Sequence, residues 1–270
     1  MDLNTIQEVA RPSARAELPV WAAGDAWLAG GTWLFSEPQV HLNRLIDLTD
    51  LKWPALTIDA RGLSIAATCT IAQLDAFACP PEWLAAPLFN QCCRAFLASF
   101  KIWKTATVGG NLCMSLPAGP MISLTSALDG VCTIWQADGG QRKIPVSDFV
   151  TGNNTNVLKS GDLLRQVDIP LSALKRRSAF RQLSLTPVGR SAALLIGTTD
   201  SYGAFALTVT ASTKRPVKLS FAKVPGAAEL RGAIAQAIPD PLYHDDVHGK
   251  PFWRKHMTLR LAEEIRGELA

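Results

Sequence analysis

The stretch Thr107-Val108-Gly109-Gly110-Asn111-Leu112 decides the reading of this chain, taken together with Ala29-Gly30-Gly31-Thr32 far upstream. Each glycine pair follows an apolar or β-branched lead-in and is followed by a small polar residue and an apolar one. Glycines without a Cβ let backbone approach a ligand closely, and successive N–H groups in such a turn can converge on an anion. One such loop is a weak signal. Two of the same form suggest one diphosphate held from both sides, without the lysine of a nucleotide-triphosphate loop.

Outward from these loops, the first block, roughly residues 1–55, reads as a small α/β unit. Trp27-Leu28-Ala29 is a strand feeding Gly30-Gly31, and Leu45-Ile46-Asp47-Leu48 is a second strand. Leu56–Asp59 and Leu63–Ala66 alternate around Ala60-Arg61-Gly62, a hairpin with a glycine turn. Thr70 with Gln73 forms a capping-box pattern, and Pro87 starts the firm part of a helix running to Phe96. Beyond the second glycine loop, Ser123–Leu128 reads as a short helix. Val131–Trp135, Lys143–Val146 and Leu163–Ile169 read as strands. In the last hundred residues Phe180–Leu185, Ala204–Thr210 and Val217–Ala222 are strand-like. Ser191–Ile196 either opens a helix or continues as a buried strand. Ala227–Ile238 and Trp253–Leu269 are helical.

At 270 residues the chain is long enough for two or three compact units and a large core. Residues 1–169 carry 12 Lys/Arg against 15 Asp/Glu, giving −3; residues 170–270 carry 15 against 8, giving +7. That switch places a domain boundary near residue 170, with units 1–170 (lobes of about 1–55 and 56–170) and 171–270. The basic residues are scattered and no nucleic-acid-binding motif accompanies them, so an acidic partner protein is expected and nucleic acid is not. Apolar runs such as Ala192–Ile196 are far too short to span a bilayer. The start Met1-Asp2-Leu3-Asn4 lacks the features of a secretory signal. The six cysteines (Cys69, Cys79, Cys92, Cys93, Cys113 and Cys132) form no Cys-x-x-Cys pair. Free thiols in a reducing cytoplasm are expected, rather than disulfides or a metal cluster.

Four stretches in order resemble the FAD-binding medium subunit of the xanthine dehydrogenase and carbon monoxide dehydrogenase family of molybdenum hydroxylases. They are Leu28-Ala29-Gly30-Gly31-Thr32; Ala106–Leu112 with Ser115-x-Pro117-Ala118; Asp148-Phe149-Val150-x-Gly152 through Leu158-x-x-Gly161-Asp162-Leu163-Leu164 to Ile169-Pro170; and Phe180-Arg181-Gln182 with Arg190, followed by Asp246-Val247-His248-Gly249-Lys250 to Arg254. The resemblance implies an α+β fold. A two-lobed FAD-binding domain, one lobe α/β and the other an antiparallel sheet, would precede a small α+β domain with a three-stranded sheet and helices. It implies FAD lying between the lobes. The implied contacts are Leu28, Ala29, Gly30, Gly31, Thr32, Trp33 and Leu34 from the first loop, Thr107, Gly109, Gly110, Asn111 and Ser115 from the second, then Leu164 and Arg181. Arg181 would stand near the flavin ring. Partners would be a molybdopterin-binding large subunit and a [2Fe-2S] small subunit in a heterotrimer, with NAD or another compound as electron acceptor.

The chain departs from that pattern in three places. Pro120 replaces a common aspartate facing the dinucleotide, removing one contact. Lys101-Ile102-Trp103-Lys104 replaces a Gln-Ile-Arg-Asn-like run. Trp33 stands where a small or acidic residue is usual; it either stacks on the flavin or packs between lobes. These departures keep a flavin-poor structural subunit as an alternative, and a free-standing flavoenzyme of related fold as another.

Other constellations read as structure. Adjacent Cys92 and Cys93 are core thiols before they are a redox pair, and Cys113 is a small packing residue near the cofactor. His244 and His248 have i, i+4 spacing, but Pro239, Pro241 and Gly249 argue for a loop and no third ligand is evident. Ser64 lacks the glycines of a nucleophile elbow.

Overall fold

The computed structural model describes residues 3–270; Met1 and Asp2, part of the N-terminal stretch read for a leader, lie outside the described residues. The first lobe is a three-stranded parallel sheet of β1 (Glu8–Ala10), β2 (Asp25–Leu28) and β3 (Arg44–Asp47), ordered β1-β3-β2. The expected α/β unit has its parallel strands, but its connections are loops and 3-10 turns rather than α-helices. The loop after β2 is the first glycine stretch.

The second lobe is an antiparallel sheet. β4 (Leu56–Asp59) and β5 (Gly62–Ala66) form the expected hairpin. The chain then leaves the sheet through α1 (Ile71–Asp75), α2 (Pro87–Ala95), α3 (Phe100–Trp103), α4 (Val108–Met114) and α5 (Pro120–Ala127). It returns as β6 (Val131–Trp135) and β7 (Gln141–Pro145), passes α6 (Val146–Phe149) and the small hairpin β8 (Val150–Gly152) and β9 (Thr155–Asn156), and closes the sheet with β10 (Leu163–Pro170). The strand order is β4-β5-β10-β6-β7, so β10 is central.

Local chemistry sets these boundaries. The Thr70–Gln73 capping box is complete. Pro87 and Pro120 occupy the first turns of α2 and α5, where a missing N–H costs nothing. For that reason α5 begins three residues before the helix expected at Ser123. On β10 the alternation sends Val167 and Ile169 into the core beneath α1, α2, α4 and α5. Asp168 points to the opposite face, where Ser64, Thr133, Gln166 and Lys143 donate to it. The lobes meet at a cluster of Leu48, Leu51, Leu163, Trp27, Trp53 and Trp135, and Trp27 Nε1 donates to the Asp162 carbonyl at 3.0 Å.

After α7 (Leu171–Leu174) come β11 (Arg177–Leu183), β12 (Ala193–Thr199), β13 (Phe205–Thr210) and β14 (Val217–Phe221), then α8 (Ala227–Ala237) and α9 (Pro251–Leu269). This sheet is antiparallel and has four strands where three were expected. The additional strand is β12, from the run whose reading stayed open. All its residues are buried, because α8 and α9 cover one face of the sheet and α5 packs on the other. A strand buried on both faces has no alternation to read. The two sheets are tied by Asp129 to Lys218 and Arg176, by Ser123 to Thr210, and by Ala211 N–H to the Pro117 carbonyl.

Candidate functional site: a cleft between the glycine elements

The first glycine stretch is a tight turn. Phe35 N–H closes on the Gly31 carbonyl at 2.8 Å, and Gly31 has a φ of 66°, a left-handed conformation that favours glycine. Among the described residues, the N–H groups of Gly30, Gly31, Thr32, Trp33 and Leu34 have no protein acceptor. Five successive free donors, in a loop that lines a cleft, form an anion-binding concavity.

The second glycine stretch is not a loop but the first turn of α4. Its donors are already used. Val108 N–H bonds the Cys69 carbonyl, Gly109 N–H the Ala67 carbonyl, Gly110 N–H the Thr107 hydroxyl and Asn111 N–H the Thr107 carbonyl, at 2.8–3.0 Å. The expectation that Gly109–Asn111 amides grip a diphosphate is therefore corrected. Gly109 serves packing: a Cβ there would sit 2.5–2.7 Å from Ala67. Gly110 faces the cleft and presents bare backbone, beside the Thr107 hydroxyl and the Asn111 carboxamide. Asn111 Oδ1 accepts from Met121 N–H at 3.1 Å, capping α5, which leaves its Nδ2 for a ligand.

The cleft between the two elements encloses about 520 Å³. Of the expected residues, Ala29, Gly30, Gly31, Thr32, Trp33, Leu34, Thr107, Gly110 and Asn111 line it. Trp33 is 39% exposed and lines the cleft. Leu28 lies behind the wall, its Cδ1 under Gly31. Ser115, fully buried in a left-handed conformation, donates to the Leu112 carbonyl and accepts from Asn156 Nδ2. Leu164 is a core residue of β10. Neither Ser115 nor Leu164 is brought to the cleft. Arg181 is also elsewhere: it is bound to Glu264 and Glu268 of α9 at 3.1 and 2.6 Å, and those carboxylates push its pKa up.

The rest of the wall was missed in the sequence. Ala95–Ala98 and Ile102 supply an apolar side, Met114 and Leu116 part of the floor, and Arg190 reaches in from the last domain. The exposed Leu97, Phe100 and Ile102, close in sequence, were the readable signal for that apolar side. Pro120 lines the cleft and contributes no polar atom. Cys113 lies at the wall with its thiol pushed up to about 12 by burial, so it is neutral and inert there. Cys92 and Cys93 are fully buried core thiols of α2.

His244 and His248 do not share a helix. His244 contacts Asp246 at 3.3 Å, and burial pulls its pKa down. Among the described residues no group of three or more His, Cys, Asp or Glu could hold a metal ion, and no helix is long and apolar enough to cross a membrane.

Free N–H groups in the first glycine turn, a bare glycine in α4 and a cleft of about 520 Å³ with one apolar side suit a dinucleotide. The chain is 27% identical over 206 residues to the caffeine dehydrogenase subunit beta of Pseudomonas sp. (strain CBB1), covering 72% of this chain and 68% of that one. Its fold matches a chain of quinoline 2-oxidoreductase from Pseudomonas putida 86, with a TM-score of 0.78 and 19% identity over 100% of this chain and 99% of the other. It likewise matches a chain of carbon monoxide dehydrogenase from Hydrogenophaga pseudoflava, with a TM-score of 0.78 and 16% identity over 97% and 96%. Residues 8–172 match the family described as the FAD binding domain in molybdopterin dehydrogenase. The chain thus belongs to that family, and is an FAD-binding medium subunit of the molybdenum hydroxylase oxidoreductases.

Proposed function

We propose that this chain carries electrons out of a molybdenum hydroxylase complex. The observation that carries the reading is the run of N–H groups without a protein acceptor at Gly30–Leu34, in a loop that lines a cleft of about 520 Å³. These groups would hold the pyrophosphate of FAD, with the Thr107 hydroxyl and Asn111 Nδ2 opposite and Gly110 allowing close approach. Bound FAD supplies the electron-accepting and electron-donating chemistry; the protein's part is position, electrostatics and exclusion of water. No substrate hydroxylation takes place on this chain. A [2Fe-2S] small subunit would deliver electrons from a molybdopterin-binding large subunit, and NAD or another acceptor would remove them. Residues 1–170 would form the flavin-holding unit and residues 171–270 the domain that frames its far end, the whole working in the cytoplasm.

A second reading is a flavin-poor subunit kept for assembly. It is favoured by the internal use of the α4 amides and by Pro120, which together leave one side of the cleft short of donors. The visible spectrum of the chain purified alone and in the co-expressed complex, after FAD addition and gel filtration, separates the two. Retained flavin in either sample supports electron transfer. A folded, colourless chain in both would overturn it in favour of assembly.

A further inference from the structure

The last domain brings to the cleft a cation that none of the expected contacts included. Arg190 stands on the rim shared by the cleft and a second, smaller cavity of about 260 Å³. Among the described residues no carboxylate forms an ion pair with its guanidinium within 4 Å. The acids of the smaller cavity are engaged elsewhere, Asp246 with His244 and Arg254, and Asp245 with Lys250. Among the described residues, then, Arg190 has no direct ion-pair partner.

The two residues that follow Arg190 are held in place. Ser191 is buried and accepts from Gln182 Nε2 at 2.9 Å; Ala192 N–H bonds the Leu183 carbonyl at 2.8 Å. The Ala192 carbonyl accepts from the buried Arg254 at 2.8 Å.

The linings of the cleft and of the smaller cavity differ in polarity. The wall made by Ala95, Phe96, Leu97, Ala98 and Ile102 has no polar side chain, whereas Asn153, Asn154 and Ser191 accompany Arg190 around the smaller cavity. The isoalloxazine ring has one hydrocarbon edge and one pyrimidine edge of carbonyls and ring nitrogens. Burying the second requires polar partners.

Resting on the FAD reading above, we infer that Arg190 faces the pyrimidine edge of the flavin and sets its reduction potential. Two-electron reduction brings two electrons from the iron–sulfur carrier and one proton, which goes to N5. The remaining negative charge spreads over N1 and the C2 carbonyl. Arg190 favours that charged state over the neutral oxidised one. A guanidinium does not lose its proton in this setting, so the effect persists across the working pH range. Arg181, the cation implied by family resemblance, cannot do this because Glu264 and Glu268 neutralise it.

The test is the midpoint potential of the flavin in the intact complex, by spectroelectrochemistry, for the wild type and for Arg190→Gln, Arg190→His and Arg181→Gln. Arg190→Gln is expected to weaken the preference for reduced flavin about tenfold, which is about 30 mV lower for a two-electron couple. Arg190→His should approach the wild-type potential at about pH 5.5 and fall away at about pH 8, as the imidazole loses its charge. Arg181→Gln should leave the potential where it was. An unchanged potential in Arg190→Gln, or an equal drop in Arg181→Gln, overturns the inference. If Arg190→Gln sheds its flavin, Arg190→His decides: an offset from wild type that stays constant between the two pH values overturns it. Absence of flavin from the wild-type complex is a separate outcome, visible before any variant is made; it defeats the FAD reading and this inference with it.

Discussion

The backbone of Gly30 presses against the carbonyl of Thr105 so closely that a methyl group on Gly30 would overlap the Thr105 oxygen. The first glycine pair thus does two things. Its N–H groups have no protein acceptor in a loop that lines the cleft, and its Cα seats the first lobe on the segment leading into α4. The two glycine elements lie side by side because Gly30 has no side chain.

Gly30→Ala should therefore separate the lobes. The clash is with backbone, which cannot swing away as a side chain would, and overpacking of this kind costs about 1–3 kcal/mol. Thermal unfolding should show a fall of several degrees, and flavin retention after gel filtration should drop with it. A variant with wild-type melting and full flavin would show that the lobes are not fixed by this contact.

The neighbouring glycines of α4 should respond differently from each other. Gly109→Ala crowds the backbone of Ala67 and should lower stability. Gly110→Val meets only the Thr107 hydroxyl within the protein, at 3.0 Å, and projects into the cleft. It should leave the chain folded while weakening flavin binding about a hundredfold, roughly 2.7 kcal/mol. Melting curves and flavin titrations of both variants check the contrast.

Asp25 and Arg44 staple the first lobe. The Asp25 carboxylate, 2% exposed, accepts from Arg44 Nε at 2.8 Å and Nη2 at 2.6 Å, and from Ala22 N–H at 2.7 Å. Hydrogen bonding from Arg44 outweighs burial and holds its pKa below the usual aspartate value. A depressed pKa means the stabilisation is fully present above the unfolded value of about 3.9 and is lost as pH falls through the folded one. Asp25→Asn should cost about 3 kcal/mol at neutral pH. The difference from wild type should shrink below about pH 4, as read by denaturant midpoints measured against pH.

Arg254 is the largest fully buried side chain and reaches four partners: the carbonyls of Gly249, Ala192 and Ala211 and the Asp246 carboxylate. Ala211 has a φ of 62°, and its N–H bonds the Pro117 carbonyl beside the cleft. Arg254→Met strands all of these acceptors and should cost about 3–5 kcal/mol, lowering the melting temperature by roughly 10 °C for a chain of this size. Arg254→Lys should recover only part of it, because an ammonium cannot reproduce the guanidinium fork. Full recovery by lysine would mean that charge alone matters here.

The sequence revealed what depends on near neighbours. The capping box at Thr70 and Gln73, the hairpin around Gly62 and the helix start at Pro87 all rest on bonds or conformations spanning a few residues. Four ordered stretches were enough to identify the family and its cofactor. Tertiary structure settled what depends on distant partners. It made β12 a strand, because only α5 and α9 packing on its two faces explains seven buried residues in a row. It turned the second glycine stretch into a helical first turn whose amides bond Cys69, Ala67 and Thr107. It left Arg181 neutralised by α9 and, among the described residues, Arg190 with no ion-pair partner at the cleft, although both are arginines of one short segment. The spacing of residues along the chain determines which turns and caps can form. Whether a charge is spent on a neighbour or kept for a ligand is decided only when separate elements meet.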